Sequence, residues 1–147
     1  MKQSDIQILG CKIGKNISAN YYDNRDSHNY NVEDGEYPHP DLVNAMRAFK
    51  SDLAEAHFIL GEEQDNFRPS GFQVTEDKEK FFVKISGKMT TFHDDKVTIN
   101  SGTIPIEEGD VEKKLKTLRG ELYKFFFEGK SAQGDLFEAE KEKSESD

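Results

Sequence analysis

Two stretches of helical periodicity, separated by a stretch of strand periodicity, most constrain the fold of this chain. The first stretch has apolar residues at spacings of four, three, four and three: Leu42, Met46, Phe49, Leu53 and Ala56. The second has a similar stripe: Val111, Leu115, Leu118, Leu122 and Phe125. Such spacings place each set on one face of a helix. We therefore predict one helix over about 40–60, ended by Gly61, and another over about 110–128.

Between these stretches the apolar residues alternate with a period of two. In "KFFVKISGKMT", Phe81, Val83 and Ile85 share one face of a strand. The segment "HDDK" (93–96) predicts a hairpin turn, which is followed by "VTIN", a turn at "SGT", and "IPI". "IQILGCKIG" (6–14) predicts another strand, and residues 73–75 suit a further short one. The order indicates an α+β domain, in which two amphipathic helices pack on a small, mostly antiparallel sheet of three to five strands.

The segment from residue 16 to residue 38 is rich in Asn, Asp, Ser and Tyr, and it predicts the end of a strand followed by a long loop. The loop places Tyr21, Tyr22 and Tyr30 near Arg25. Aromatic rings beside a guanidinium can stack on bases or hold a nucleotide. Alternatively, the tyrosines cover the sheet edge while their hydroxyls remain in water. Both interpretations stay open.

The composition limits the classes of partner. The formal net charge of −9 repels phosphates at long range, so bulk binding to nucleic acid is unfavourable, although local basic patches remain possible. Cys11 is the single cysteine, which excludes an internal disulfide and suits a reducing compartment. No apolar run is long enough to span a bilayer, and the N-terminus lacks an apolar secretory core. These features predict a cytoplasmic protein.

Catalytic and metal-binding patterns are weak. The four histidines are scattered along the sequence, and the one cysteine has no partner cysteine for a metal site. His93 beside Asp94 and Asp95 is an acid–base pair on paper, but these residue types are also the expected turn formers. We therefore expect a protein without catalytic residues, metal or cofactor. A small nuclease-like enzyme that uses Asp94 and Asp95 is the enzymatic alternative.

The chain closes with "KSAQGDLFEAEKEKSESD" (130–147), which is polar and acidic except for Leu136 and Phe137. A segment with so few apolar groups cannot form a core of its own. We predict a single α+β domain over 1–129 and a disordered acidic tail over 130–147, in which the Leu-Phe pair is a docking motif. In the alternative, the pair folds back onto the domain and extends the last helix.

The pentapeptide "QGDLF" (133–137) resembles the Q-x-x-L-F motif by which many bacterial and phage proteins dock on the DNA sliding clamp. The resemblance implies that Gln133 hydrogen-bonds at the rim of the clamp pocket, while Leu136 and Phe137 enter it. Burial of these two side chains would contribute on the order of 3–6 kcal/mol before ordering costs, which predicts micromolar binding.

The layout as a whole resembles small phage-encoded accessory proteins of replication and recombination cassettes. The resemblance consists of "HPDL" opening a helix, a short sheet, a final helix and "GK-x-A-Q-x-x-LF". It implies a viral protein in the cytoplasm of a bacterial host, and it assigns no catalytic residues. We expect a non-enzymatic protein that docks on the sliding clamp and brings its body to the replication machinery, near single-stranded DNA, a recombinase or a host factor. The alternative is an acidic decoy or sequestering, anti-defence protein, whose body binds a host defence component or a small nucleotide.

Overall fold

The computed structural model describes residues 1–59, 61–107 and 109–132. Its strands are β1 (Ile6–Ile13), β2 (Ile17–Asp23), β3 (His28–Asp34), β4 (Phe67–Asp77), β5 (Lys80–Thr90) and β6 (Lys96–Pro105). Its helices are α1 (Pro40–Arg47), α2 (Lys50–Glu55) and α3 (Asp110–Phe127). Short 3-10 turns over Gln3–Asp5 and Gly61–Asn66 precede β1 and β4. None of the described helices combines the length and the apolar character needed to cross a membrane.

The six strands form one antiparallel sheet in the order β3-β2-β1-β4-β5-β6. The predicted α+β class is confirmed, whereas the predicted number of three to five strands is wrong. The additional strands come from the segment predicted as a long loop, where β2 and β3 pair continuously from Ile17↔Asp34 to Asp23↔His28. The apolar alternation in this hairpin is weak because polar and aromatic side chains outnumber Ile17, Ala19 and Val32.

The two halves of the chain share one order of elements: three strands followed by helical segments. Their first strands pair antiparallel at the centre of the sheet through three residue pairs: Gly10↔Gln73, Cys11↔Phe72 and Lys12↔Gly71. Each of these strands has a register shift beside the junction, one ending at Gly10 and the other at Gly71. The arrangement is approximately two-fold symmetric about the Cys11–Phe72 pair, although the sequence shows no internal repeat.

The helices cover one face of the sheet. The predicted stripe of α3 is confirmed, since its five residues are all buried. The predicted alternation of β5 is also confirmed, because Val83 and Ile85 are fully buried beneath the helices. Phe81 belongs to the same face but lies at the start of the strand, where it is 42% exposed. Cys11 is buried, and desolvation raises the pKa of its thiol to about 12, so it packs as a small apolar residue.

The predicted continuous helix over 40–60 is wrong, because the helix breaks at Phe49 and ends at residue 55. Phe49 has φ −85° and ψ 4°, and its N–H donates to the Met46 carbonyl at 3.2 Å, which tightens the turn between α1 and α2. The tightening accompanies complete burial of the Phe49 side chain. Phe58 then adopts φ 60°, so the chain leaves the helical conformation before Gly61.

The predicted turn at "SGT" is instead an irregularity inside a continuous β6. Asn100 pairs with Ser86 and Thr103 with Lys84, so two residues of β6 lie opposite one residue of β5. The hydroxyl of Ser101 accepts the N–H of Ile85 at 3.0 Å and thereby satisfies a donor of the interrupted ladder. Gly102 follows at φ 71°, a conformation that favours glycine.

Arg119 joins the helix layer to the irregular part of β1. Its Nε donates to the carbonyl oxygen of Ile8 at 2.8 Å, directly before the register shift. Its Nη2 is buried and has no hydrogen-bond partner among the described residues. Burial lowers the pKa of this guanidinium. The helix layer therefore fixes the backbone beneath the β1 irregularity through one partly desolvated side chain.

Two glycine substitutions are expected to change stability in opposite directions. A Cβ at Gly87 would lie 2.3 Å from the Arg68 carbonyl oxygen and 2.8 Å from the Pro69 Cα, so Gly87→Ala should lower the free energy of unfolding by about 2–3 kcal/mol. At Gly120, within α3, the nearest atom would lie at 3.7 Å, so Gly120→Ala should raise it by about 1 kcal/mol. Urea denaturation measures both changes. If Gly87→Ala and Gly120→Ala change the free energy of unfolding equally, β4 and β5 do not approach each other closely at Gly87.

Candidate functional site

The face of the sheet opposite the helices, hereafter the open face, presents two polar rows that cross all six strands. The register gives the first, the amide row, as Asn31, Asn20, Gly10, Gln73, Lys84 and Thr103. It gives the second, the Lys12 row, as Glu33, Ser18, Lys12, Gly71, Ser86 and Asn100. Glycines apart, both rows consist entirely of polar and charged residues.

A depression lies on the open face beside Gly10, in the middle of the amide row. A Cβ at Gly10 would lie 2.3 Å from Gln73 Oε1 and 2.6 Å from Asn20 Oδ1, so the amides of these two residues occupy the space above the glycine. The depression has a volume of about 480 Å³, and its polar lining is Lys12, Ser18, Asn20, Asn31, Glu33 and Gln73. Amides both donate and accept hydrogen bonds, so this lining suits a ligand with donors and acceptors.

The open face is basic although the whole chain is acidic. Its basic residues, assigned from register and alternation, are Lys12, Arg68, Lys80, Lys84, Lys88 and Lys96. Its acidic residues are Glu33 and Asp77. Within the described ranges, none of the six basic side chains has a carboxylate within ion-pairing distance. Among the described residues, their positive charge is therefore not neutralised by ion pairs.

Two aromatic side chains lie one row beyond the amide row on the open face. Tyr22 follows Asn20 by two residues along β2, and Phe82 precedes Lys84 by two along β5. Both side chains are half-buried. Three strand spacings of roughly 4.8 Å separate β2 from β5, so the two rings lie roughly 14 Å apart. The open face thus combines basic, amide and aromatic groups.

The charges on the open face are arranged at a cost in stability. Arg68 and Lys88 are direct cross-strand neighbours, and like charges at such positions repel. Lys88→Glu would replace this repulsion by an attraction and should raise the free energy of unfolding by about 0.5–1 kcal/mol. Lys116→Glu, the same charge change at an exposed position farther from the N-terminus of α3, should not raise it. Thermal or urea denaturation at low ionic strength measures the stability of both variants. If Lys88→Glu does not raise the free energy of unfolding, the side chains of residues 68 and 88 point away from each other.

The tyrosine-rich segment predicted as a ligand loop is the β2–β3 hairpin, and its residues divide between the two faces. Tyr21 and Tyr30 pair across the strands on the helix-covered face, with stacked rings whose centroids lie 5.5 Å apart. Tyr21 also contacts the ring of Phe127 edge-on at 5.4 Å. Tyr22 lies on the open face, and Arg25 lies in the turn. The structure therefore brings Tyr21 and Tyr30 together and places Tyr22 apart from them.

Arg25 is engaged within the hairpin turn. Its Nε and Nη2 donate to the two carboxylate oxygens of Asp23 at 3.1 and 2.8 Å, and its backbone N–H also donates to Asp23 at 2.9 Å. These bonds hold the pKa of the Asp23 carboxyl below its usual range. The Tyr30 hydroxyl donates to Asp26, which raises the pKa of the phenol. A ligand at this turn would have to compete with the Asp23–Arg25 pair.

The Asp23–Arg25 pair should make the hairpin sensitive to acid. Because the folded-state pKa of Asp23 is depressed, its contribution to stability is present above the ordinary aspartate pKa of about 3.9 and is lost as pH falls through the lowered value. Asp23→Asn should therefore be less stable than the natural chain at pH 7, and the difference should narrow in acid. Melting temperatures against pH measure this, with Asp94→Asn in the exposed β5–β6 turn as the control. A constant difference would contradict the assignment.

The predicted docking residues Gln133, Leu136 and Phe137 lie outside the described residues. The segment immediately before them lies on the helix layer. Lys130 Nζ donates to Asp41 at 2.8 Å and to Glu121 at 3.1 Å, which raises the pKa of the ammonium group. Ser131 forms a bridge with Pro38, and the N–H of Ala132 donates to the Tyr37 carbonyl at 3.1 Å. Contacts with the domain therefore extend three residues beyond the predicted boundary at 129.

His93, Asp94 and Asp95 occupy the turn between β5 and β6, and all three are exposed. The N–H of Asp94 donates to the Thr91 carbonyl, and the N–H of Thr91 donates to the Asp95 carbonyl. The hairpin turn predicted at this place is thus confirmed. In the described part of the chain, no group of three or more His, Cys, Asp or Glu side chains is placed to hold a metal ion.

No known protein-family model, curated protein or solved structure matches this chain. Its function is therefore inferred from the open face and the C-terminal motif. The open face was not predicted from the sequence. Lys12 lies on the same face as Gln73 and Lys84 only because β1 is the neighbour of β4 in the sheet, although the two strands are far apart in the sequence. A signal was nevertheless present in "KFFVKISGKMT", where Lys80, Lys84 and Lys88 recur at intervals of four and so share one face of a strand.

Proposed function

We propose that this chain is a non-enzymatic phage accessory protein that docks on the DNA sliding clamp of its bacterial host or of the phage through Gln133, Leu136 and Phe137. Docking brings the α+β body to the replication machinery in the host cytoplasm. Support comes from the resemblance of "QGDLF" to the clamp-binding pentapeptide and from an apolar pair within an otherwise polar, acidic segment.

The geometry that best supports this proposal is the attachment of residues 130–132 to the helix layer. Lys130 is paired with both Asp41 of α1 and Glu121 of α3, so a position three residues before the motif is fixed on the body. Five extended residues span at most about 17 Å, so Phe137 can lie no farther than roughly that distance from Ala132. A clamp bound to the motif would consequently hold the body close to the ring.

The affinity of such docking is set by two anchors. Leu136 and Phe137 together contribute on the order of 3–6 kcal/mol when buried, before the cost of ordering the peptide. The expected dissociation constant is micromolar, which permits exchange on a ring that serves several partners. Several copies on one ring would add avidity.

Binding of the full chain to a bacterial sliding clamp tests the proposal. We expect micromolar binding that falls at least ten-fold in the Leu136→Ala, Phe137→Ala double variant, because both pocket contacts are removed. The melting temperature should not change, since neither residue belongs to the predicted domain. Glu138→Ala with Glu140→Ala is the matched control in the same segment and should retain binding. A labelled peptide of residues 129–147 should bind like the full chain.

Failure of both the full chain and the peptide to bind would contradict docking through this motif. That result would favour the alternative, in which the body of an acidic decoy or sequestering protein binds a host defence component or a small nucleotide. A decoy of this kind would retain its target in the Leu136→Ala, Phe137→Ala variant, because its contacts lie on the body.

A further inference from the structure

We infer that the open face of the sheet binds single-stranded DNA. The choice of DNA as the polyanion rests on the proposed function, which places the protein at the replication machinery. The charge, shape and chemistry of the face are independent of the C-terminal motif, so each proposal can fail without the other.

The basic side chains of the open face are suited to phosphates. Arg68, Lys84, Lys88 and Lys96 lie on three neighbouring strands, β4 to β6, and Lys12 extends the positive charge to the centre of the sheet. None of them is paired with a carboxylate in the described ranges, so phosphate binding would break no ion pair there. Lysine and arginine that neutralise phosphates release counterions from the nucleic acid, which favours binding at low salt.

The other half of the open face is suited to bases. Asn20, Asn31 and Gln73 present side-chain amides beside the depression, and in the described ranges the side-chain amides of Asn20 and Asn31 form no hydrogen bond. Amides match the donors and acceptors on base edges. Tyr22 and Phe82 offer rings on which bases can stack, and such stacking tolerates any base.

The shape of the open face favours single-stranded DNA over a DNA duplex. The middle of the face carries no large side chain, since Gly10, Gly71, Ser18 and Ser86 lie there. An unpaired base can therefore reach the amides of Asn20 and Gln73, which lie above Gly10. A duplex keeps its bases stacked and paired, and it would meet only the basic side chains. The amides and rings would then be without a ligand.

Fluorescence anisotropy of the full chain with labelled oligothymidine tests the inference, with RNA of the same length and a DNA duplex as further probes. We expect binding at low ionic strength that is tighter for single-stranded DNA than for the duplex or the RNA. The Lys84→Glu, Lys88→Glu double variant should lose at least about ten-fold in affinity. The slope of the logarithm of the binding constant against the logarithm of the salt concentration should be shallower by about 1.4 if two phosphate contacts are lost.

Two controls separate a site from general electrostatics. Lys113→Glu with Lys116→Glu makes the same change of net charge on α3 and should bind like the natural chain. Phe82→Leu keeps the charge and an apolar side chain but removes the ring, and it should weaken binding at least about five-fold at an unchanged melting temperature. Equal losses in the two double-lysine variants would overturn the inference.

The Leu136→Ala, Phe137→Ala variant distinguishes the two proposals, because it should lose the clamp and retain DNA. The Lys84→Glu, Lys88→Glu variant should show the converse behaviour. Failure of the natural full chain to bind single-stranded DNA at low ionic strength would overturn the inference. This holds even if the cause is that the acidic residues 133–147 of the chain itself occupy the open face. Preference for the duplex or for RNA would overturn it as well.

Discussion

The short antiparallel junction between β1 and β4 is the interaction on which the rest of the structure depends. Three residue pairs join two three-stranded meanders, so the ladder alone provides few hydrogen bonds between the halves of the chain. The buried Cys11–Phe72 pair and the helix layer supply the remaining cohesion. Lys114 of α3 pairs with Asp52 of α2 at 2.8 Å, and Arg119 of the same helix contacts the Ile8 carbonyl. The second half of the chain is thereby fastened to the first.

The same junction produces the candidate site. A register shift beside each end of a short ladder twists the strands, and glycine at positions 10 and 71 leaves room for neighbouring polar groups: the amides of Asn20 and Gln73 over Gly10, and the Ser86 hydroxyl over Gly71. Hydrophobic packing fixes the underside of the junction, where the core residues lie. Packing does not constrain the residues of the open face above the junction, and this face carries like charges at directly paired positions, Arg68 and Lys88.

Strong periodicity was predictable from the sequence, and contacts between distant segments were not. The stripe of α3 and the alternation around Val83 were evident because one face of each element is almost uniformly apolar. The β2–β3 hairpin was missed because its apolar positions are few. The helix break was missed because Phe49 fits the helical stripe and the core equally well. The open face draws on residues of all six strands, and only the pairing of β1 with β4 brings its two halves together.

The attachment of residues 130–132 to the helix layer has a consequence for where the protein would act. Residues 130–132 lie on the helix side of the body, whereas the open face is the opposite side. A clamp bound at residues 133–137, as proposed, would therefore leave the open face free to bind. Freely diffusing copies, whose net charge of −9 repels polyanions at long range, would bind nucleic acid only weakly. Held on a ring, the same weak face would experience an effective concentration on the order of millimolar. The position of the protein on the ring, rather than the intrinsic affinity of the open face for DNA, would then decide which DNA the protein binds.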